Sequence, residues 1–205
     1  MKERRMAHGI WGIAGCASLL AVAGSLAFGV SRVAALSREL ALDEMISVAD
    51  EIVVGRVTKT EAQWQGKLIV TVSTVHVDES LKGQGTGDTG ITQLGGTAIH
   101  PRIGAPVTMN VSEQVIFRPG EEVLLFVHKT TTGARQLVGG PQGKFVVREQ
   151  PTTGAKEVPV GPKRLKVLQR DGQQMVTSEV VTLDAMRDRI RAYLDRGTHA
   201  GGTRP

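Results

Sequence analysis

Five consecutive apolar residues, Val123-Leu124-Leu125-Phe126-Val127, follow a Pro119-Gly120 turn and the two acids Glu121-Glu122. Proline pre-sets φ at such a turn and glycine tolerates positive φ. An apolar run without polar alternation suits a strand covered on both faces, as in a closed barrel or beneath a helix. A chain built around it must supply apolar neighbours on two sides. With two Trp, one Tyr and four Phe in 205 residues, those neighbours have to be Val, Leu and Ile. β-Branched residues favour strands, and the reading is therefore a β fold.

The amino terminus is of a different kind. Lys2, Arg4 and Arg5 precede Gly9 to Val30, which carries no charge. Positive charges followed by an apolar run have the form of a secretory signal. At about 1.5 Å per residue the run also nearly spans a bilayer, so an uncleaved anchor is the competing reading. Ile13-Ala14-Gly15-Cys16 has the look of a lipobox, but it sits early in the apolar run, and a small residue inside a signal helix is the preferred reading. Of the formal net charge of +5, residues 1–36 hold three positive charges in excess, which leaves little basic signal for nucleic acid. Cys16 is the one cysteine, so the folded part has no disulfide, no Cys-ligated zinc and no thiol nucleophile.

Further along, Leu42, Met45, Ile46 and Ala49 recur at helical spacing, predicting a short helix over residues 38–48. Asp50 to Val57 reads as the first strand, with a bend at Gly55, and Lys67 to Val77 as its hairpin partner after a Gln65-Gly66 turn. The apolar parity of the second strand changes near Ser73-Thr74, predicting a bulge or strong coil there. Residues 83–90 read as a loop, 91–94 as a short strand, and 95–111 as a long irregular connection with 107–111 extended. After the central strand come strands near 135–138 and 143–148, a polar excursion over 151–163, and a late hairpin around Asp171-Gly172. A last helix has Thr182 as N-cap, a Val181–Met186 staple, a stripe of Leu183, Met186, Ile190 and Leu194, and Gly197 as its stop.

The series Ala49-Asp50-Glu51-Ile52-Val53-Val54-Gly55-Arg56-Val57, Leu81-Lys82-Gly83, Gly95-Gly96-Thr97, Gly120-Glu121-Glu122-Val123-Leu124-Leu125-Phe126 and Gly143-Lys144-Phe145 resembles a group of exported bacterial proteins without an assigned activity. The resemblance covers residues 42–147 and its motifs are strand and turn motifs. More remotely, the strand pattern is similar to netrin-like and tissue-inhibitor-of-metalloproteinase-like domains, which are OB-type barrels. Those domains depend on disulfides and on an N-terminal Cys, for which this chain has no counterpart. The resemblance implies a barrel and does not imply metalloproteinase inhibition.

Catalytic motifs are missing. His76, His100, His128 and His199 have no second ligand at metal spacing, and no Ser sits in GxSxG or SxxK. Glu121 and Glu122, adjacent on a strand, point to opposite faces and serve strand-edge solubility. The glycine clusters at 83–90, 95–96 and 139–143 match no phosphate-binding loop; Phe145 stands where such a loop has Ser or Thr.

The expectation is a mainly β, OB-like small barrel with one N-terminal and one C-terminal helix. Residues 1–36 are a signal peptide or membrane anchor, 37–197 a single β-barrel-like domain with flanking helices, and 198–205 a disordered tail. The protein is expected to be secreted or periplasmic, or anchored to the inner membrane by residues 9–30. The expected function is a non-enzymatic binding or interaction module of the bacterial envelope or secretome. Its partner is a protein or glycan, with no nucleic acid, no cofactor and no metal, and its membrane contact runs only through the N-terminal segment. The candidate surface comprises Trp64, His100, Arg102 and Arg118, centred on the connection from Gly96 to Val111. Trp64 reads either as a barrel plug or as an interaction anchor, with plug preferred. The alternative function is a hydrolase or metal-dependent enzyme using His76, His100 or His128.

Overall fold

A computed structural model describes residues 38–160, 167–170, 173–176 and 179–200. The signal or anchor expected in residues 1–36 and the Cys16 question lie outside them. The fold is mostly β, with strands β1 (Glu51–Gln65), β2 (Leu68–Lys82), β3 (Gly87–Leu94), β4 (Gly96–Ile99), β5 (Pro106–Met109), β6 (Glu122–Lys129), β7 (Arg135–Leu137) and β8 (Lys144–Val146). Five further short strands follow: β9 (Arg148–Glu149), β10 (Lys156–Val160), β11 (Val167–Arg170), β12 (Gln173–Val176) and β13 (Glu179–Thr182). Helix α1 (Leu42–Val48) precedes them and helix α2 (Leu183–Ala200) ends the series.

The main sheet runs β1-β2-β3-β7-β6-β8, and β1 also pairs with β6. The hydrogen bonds therefore close a ring through five strands, β1, β2, β3, β7 and β6. The joints of the ring are antiparallel except β3–β7, a parallel contact through the single pair Ile91↔Arg135.

Strand β6 lies at the centre of two cores, as its unbroken apolar run requires. Val123, Leu125 and Val127 join Val53, Val57, Val75, Ile91, Leu137 and Phe117 on the face that the ring encloses. Leu124 and Phe126 point the other way and meet Ile52, Val54, Met45 and Ile46 together with Leu183, Met186 and Ile190 of α2. Each fully buried side chain of this size contributes about 1.5–3 kcal/mol. Phe126 packs edge-on against Phe145, ring centroids 5.6 Å apart.

Helix α2 begins as its sequence dictates: the Thr182 hydroxyl accepts the Ala185 N–H at 3.1 Å, and Leu183, Met186 and Ile190 are buried. It does not stop at Gly197 but runs to Ala200, so the expected tail from residue 198 begins in helix. A glycine late in an exposed helix weakens it by only about 1 kcal/mol. Helix α1 starts at Leu42, later than residue 38, with no side-chain cap at Ala41.

Several strand expectations need correction. β2 carries no switch of inner face: Ile69, Thr71, Ser73 and Val75 are all buried on one side, two of them as hydroxyls. The register shift expected near Ser73-Thr74 is present but lies in β1, where Val57↔Val75 is followed by Lys59↔Thr74. Residues 87–90 are strand, not loop, and pair with Thr74 to Val77. The supposedly irregular connection from Gly95 contains the β4–β5 hairpin, with Gly96↔Met109 through Ile99↔Pro106 in register. The polar excursion over 151–163 contains β10, which pairs with β9 and β13. β11 and β12 pair antiparallel up to Arg170↔Gln173, as a late hairpin requires, while the expected turn at Asp171-Gly172 lies outside the described residues.

Candidate functional site

The glycine-marked motifs picked out in the sequence prove to be joints. Gly55 crosses β2 so closely that a Cβ would lie 2.2 Å from the His76 carbonyl oxygen. Leu81 packs on the helix-side core, Lys82 donates from Nζ to the Ile46 and Ser47 carbonyls at 2.7 and 3.2 Å, and Gly83, at φ +78°, brings the chain against Asp50 and Glu51. A lysine on the last carbonyls of a helix is a favourable cap. Glu51, only 2% exposed, holds Arg135 Nε and Lys129 Nζ, each at 2.8 Å, and so clasps β1, β6 and β7 together. Burial pushes the Glu51 pKa up, but the hydrogen bonds and charges of Arg135 and Lys129 outweigh it and hold the carboxyl below its ordinary value.

Two other motifs meet as one ion pair. Lys144, 7% exposed, donates from Nζ to Glu121 Oε2 at 2.5 Å and to the Ile116 carbonyl at 2.6 Å, and lies 4.6 Å from the centre of the Phe117 ring. Glu121 therefore does more than keep an edge soluble. Glu122, pointing the other way as expected, pairs with Lys156 at 2.8 Å and Arg56 at 3.8 Å.

Of the candidate surface residues, three come together. Trp64, at the end of β1, shares a face with Ile69, and its neighbours Ala62 and Thr71 share that face too. The β4–β5 hairpin folds over this face. Thr71 Oγ1 donates to the Gly95 carbonyl at 2.6 Å, and a Cβ on Gly96, at φ +122°, would sit 2.4 Å from Thr71 Oγ1. His100, at the hairpin tip, meets Trp64 edge to face with centroids 5.0 Å apart. Its Nδ1 accepts the Arg102 N–H at 3.2 Å. The Trp64 Nε1–H is buried and finds no acceptor among the described residues. Trp64 is thus not the plug of the ring; Phe117, 5% exposed in the enclosed core, has that position. Trp64 is the base on which the hairpin rests. What the tip presents to solvent is Ile99, 60% exposed, and Ile103, 67% exposed, on either side of His100 and Arg102.

Arg118 belongs elsewhere. Its turn is fixed where the Gly120 N–H donates to the Val57 carbonyl at 2.7 Å. Trp64 is seven residues further along β1, roughly 20 Å at strand rise. Between β3 and β8 the chain from Val111 to Arg118 has no regular structure. Gln93 clamps it like a peptide group, donating from Nε2 to the Val115 carbonyl at 2.6 Å and accepting the Val115 N–H at 3.0 Å. A cleft opens on each side of this strap. One, of about 260 Å³, has Gln93, Leu94, Val111 and Gln136 in its walls. The other, of about 400 Å³, has Arg118, Lys144, Phe145 and Arg148.

The histidines of the alternative reading are engaged separately. His76 Nδ1 lies 2.9 Å from Asp88 Oδ1 at the surface, His100 is against Trp64, and His128 stands opposite Gln136. Among the described residues no group of three His, Cys, Asp or Glu could hold a metal ion, and no helix is long and apolar enough to cross a membrane.

Sequence reasoning missed Ile99, Ile103, Lys144 and Arg148. Ile103 between Pro101 and Gly104 carried a signal, since an isolated branched apolar residue among turn formers has no core to enter. Lys144 gave none, because a lysine in a strand normally reads as solvated. No protein-family model, curated protein or solved structure matches the chain.

Proposed function

We propose that the protein is an exported, non-enzymatic binding module of the bacterial envelope or secretome, built on an OB-type barrel, and that the tip of the β4–β5 hairpin is its contact surface. The five-stranded ring, with a three-strand meander and a parallel joint between its third and last members, supports the barrel reading. The charged, then apolar, residues 1–36 support export.

One observation carries the functional reading: two isoleucines 60% and 67% exposed stand on a hairpin pinned to the sheet by Thr71, Gly96 and Trp64. Large apolar groups on a rigid, projecting element, with Arg102 between them, have the make-up of a protein-binding hot spot. A glycan is disfavoured as partner, since sugar rings stack on open aromatic faces and Trp64 already meets His100. The test is quantitative capture of partners by the tagged chain from envelope and culture fluid. A protein retained by the wild type and lost with Ile99→Ser/Ile103→Ser, while the melting temperature stays within about 2 °C, is the expected result. Equal retention by the variant overturns the reading.

A further inference from the structure

The cleft between the strap and β8 lies away from the hairpin tip and has a different chemistry. Its polar wall holds Arg118, Lys144 and Arg148 against the single carboxylate of Glu121, and its apolar wall includes Ile116 and Phe145. The Lys144 charge is taken up by Glu121 at 2.5 Å. Among the described residues the guanidinium groups of Arg118 and Arg148 have no ion-pair partner. Arg56, Arg135 and Arg191 each have one, and Arg187 has two. Glu157 stands opposite Arg148 in the β9–β10 ladder, yet makes no ion pair with it. Among the described residues the cleft therefore carries two positive charges that no carboxylate pairs with.

Those charges stand on a rigid frame. Glu121 Oε2 accepts the Arg118 N–H at 3.3 Å as well as the Lys144 ammonium, so the turn bearing Arg118 is tied to a buried group. Arg148 follows Val147, which is buried in the helix-side core. A backbone held before a ligand arrives leaves only the two side chains to be ordered on binding. Ile116, 66% exposed, offers apolar surface beside them. A cavity of about 400 Å³ falls within the range of small-molecule sites. Guanidinium forks match the two oxygens of a carboxylate or phosphate.

We infer that this cleft binds a small amphiphile, an oxyanion head on a short apolar stem, with Arg118 and Arg148 holding the head and Ile116 and Val146 the stem. The site is independent of the hairpin tip, and either can stand without the other.

The experiment uses the full chain, purified as the expressing cell processes it, and follows the amide resonances of Ile116, Arg118 and Phe145 by NMR. The probes are octanoate, octyl phosphate, octanol and octylamine. Octanoate or octyl phosphate should shift these resonances and saturate, at least about tenfold more tightly than octanol, and octylamine should not bind. The tighter anion identifies the head group. The preference should shrink as salt rises, because exposed charges are screened within about 10 Å at 0.1 M. It should vanish in Arg118→Gln/Arg148→Gln, two exposed positions whose loss leaves the core intact, and persist in Arg102→Gln. Octanol binding as tightly as the anions, an unaltered preference in the double variant, or no saturation by either anion at millimolar concentration each overturns the inference.

Discussion

Glu51 shows how one side chain can carry fold and pH dependence together. It is buried at the start of β1, yet it remains a carboxylate because Arg135 and Lys129 reach it from β7 and β6. Its folded-state pKa is lowered, so its stabilisation is complete above the ordinary glutamate value of about 4.3 and is lost as pH falls below that value through the folded one. Glu51→Gln should destabilise the protein by about 2–3 kcal/mol at neutral pH, by leaving two cations without their carboxylate. The difference between variant and wild type, measured by urea unfolding, should narrow as pH falls from 5 toward 3. A pH-independent difference would show that packing alone is at work. Little of this was legible in the sequence, where Asp50-Glu51 reads as strand-leading acids. The partners of Glu51 are 78 and 84 residues away, and only the ring brings them to it. A separation of 30 residues likewise hid that Arg118 and Arg148 line one cleft, whereas Trp64, His100 and Arg102 could be singled out by residue type alone.

Among elements, the strap from Val111 to Arg118 and the strand β8 depend on one another. Lys144 holds the strap through the Ile116 carbonyl while Glu121 holds Lys144. Removing the cation strands a carboxylate only 11% exposed. Lys144→Met should therefore cost about 3 kcal/mol, and Lys144→Met/Glu121→Gln should recover most of that loss. Additive losses, read from chemical denaturation of the four proteins of the cycle, would contradict the coupling. Elements whose burial is apolar were readable: the run at 123–127, the stripe of α2 and the Met45-Ile46 face of α1 each announce a core. Elements that bury hydroxyls were not. Thr71, Ser73 and Thr89 lie 0–5% exposed on inner faces of β2 and β3, so parity there suggested a bulge and glycine-rich residues 87–90 suggested a loop. The β4–β5 hairpin was only half read, as an extended stretch over 107–111, because the glycines and prolines around it signal turns more loudly than Thr97 and Ala98 signal strand.

For the whole molecule, closure of the ring is uneven. β1 pairs with β2 along its length and with β6 over six positions, whereas β3 meets β7 at one pair. Local opening should start at that joint. Amide exchange of β7 should be faster than that of Leu124 to Phe126 by about a hundredfold or more, and uniform protection would contradict the uneven ring. The hairpin tip carries two exposed isoleucines that core packing leaves unexplained, and we propose it as the contact surface. A photoreactive residue in place of Ile103, in the full chain inside the expressing cell, tests it most directly, with exposed Thr132 on the β6–β7 turn as the control position. One discrete protein adduct is expected from position 103, lost on Ile99→Ser, and none from 132. No adduct at 103, or the same adducts from both positions, would contradict it.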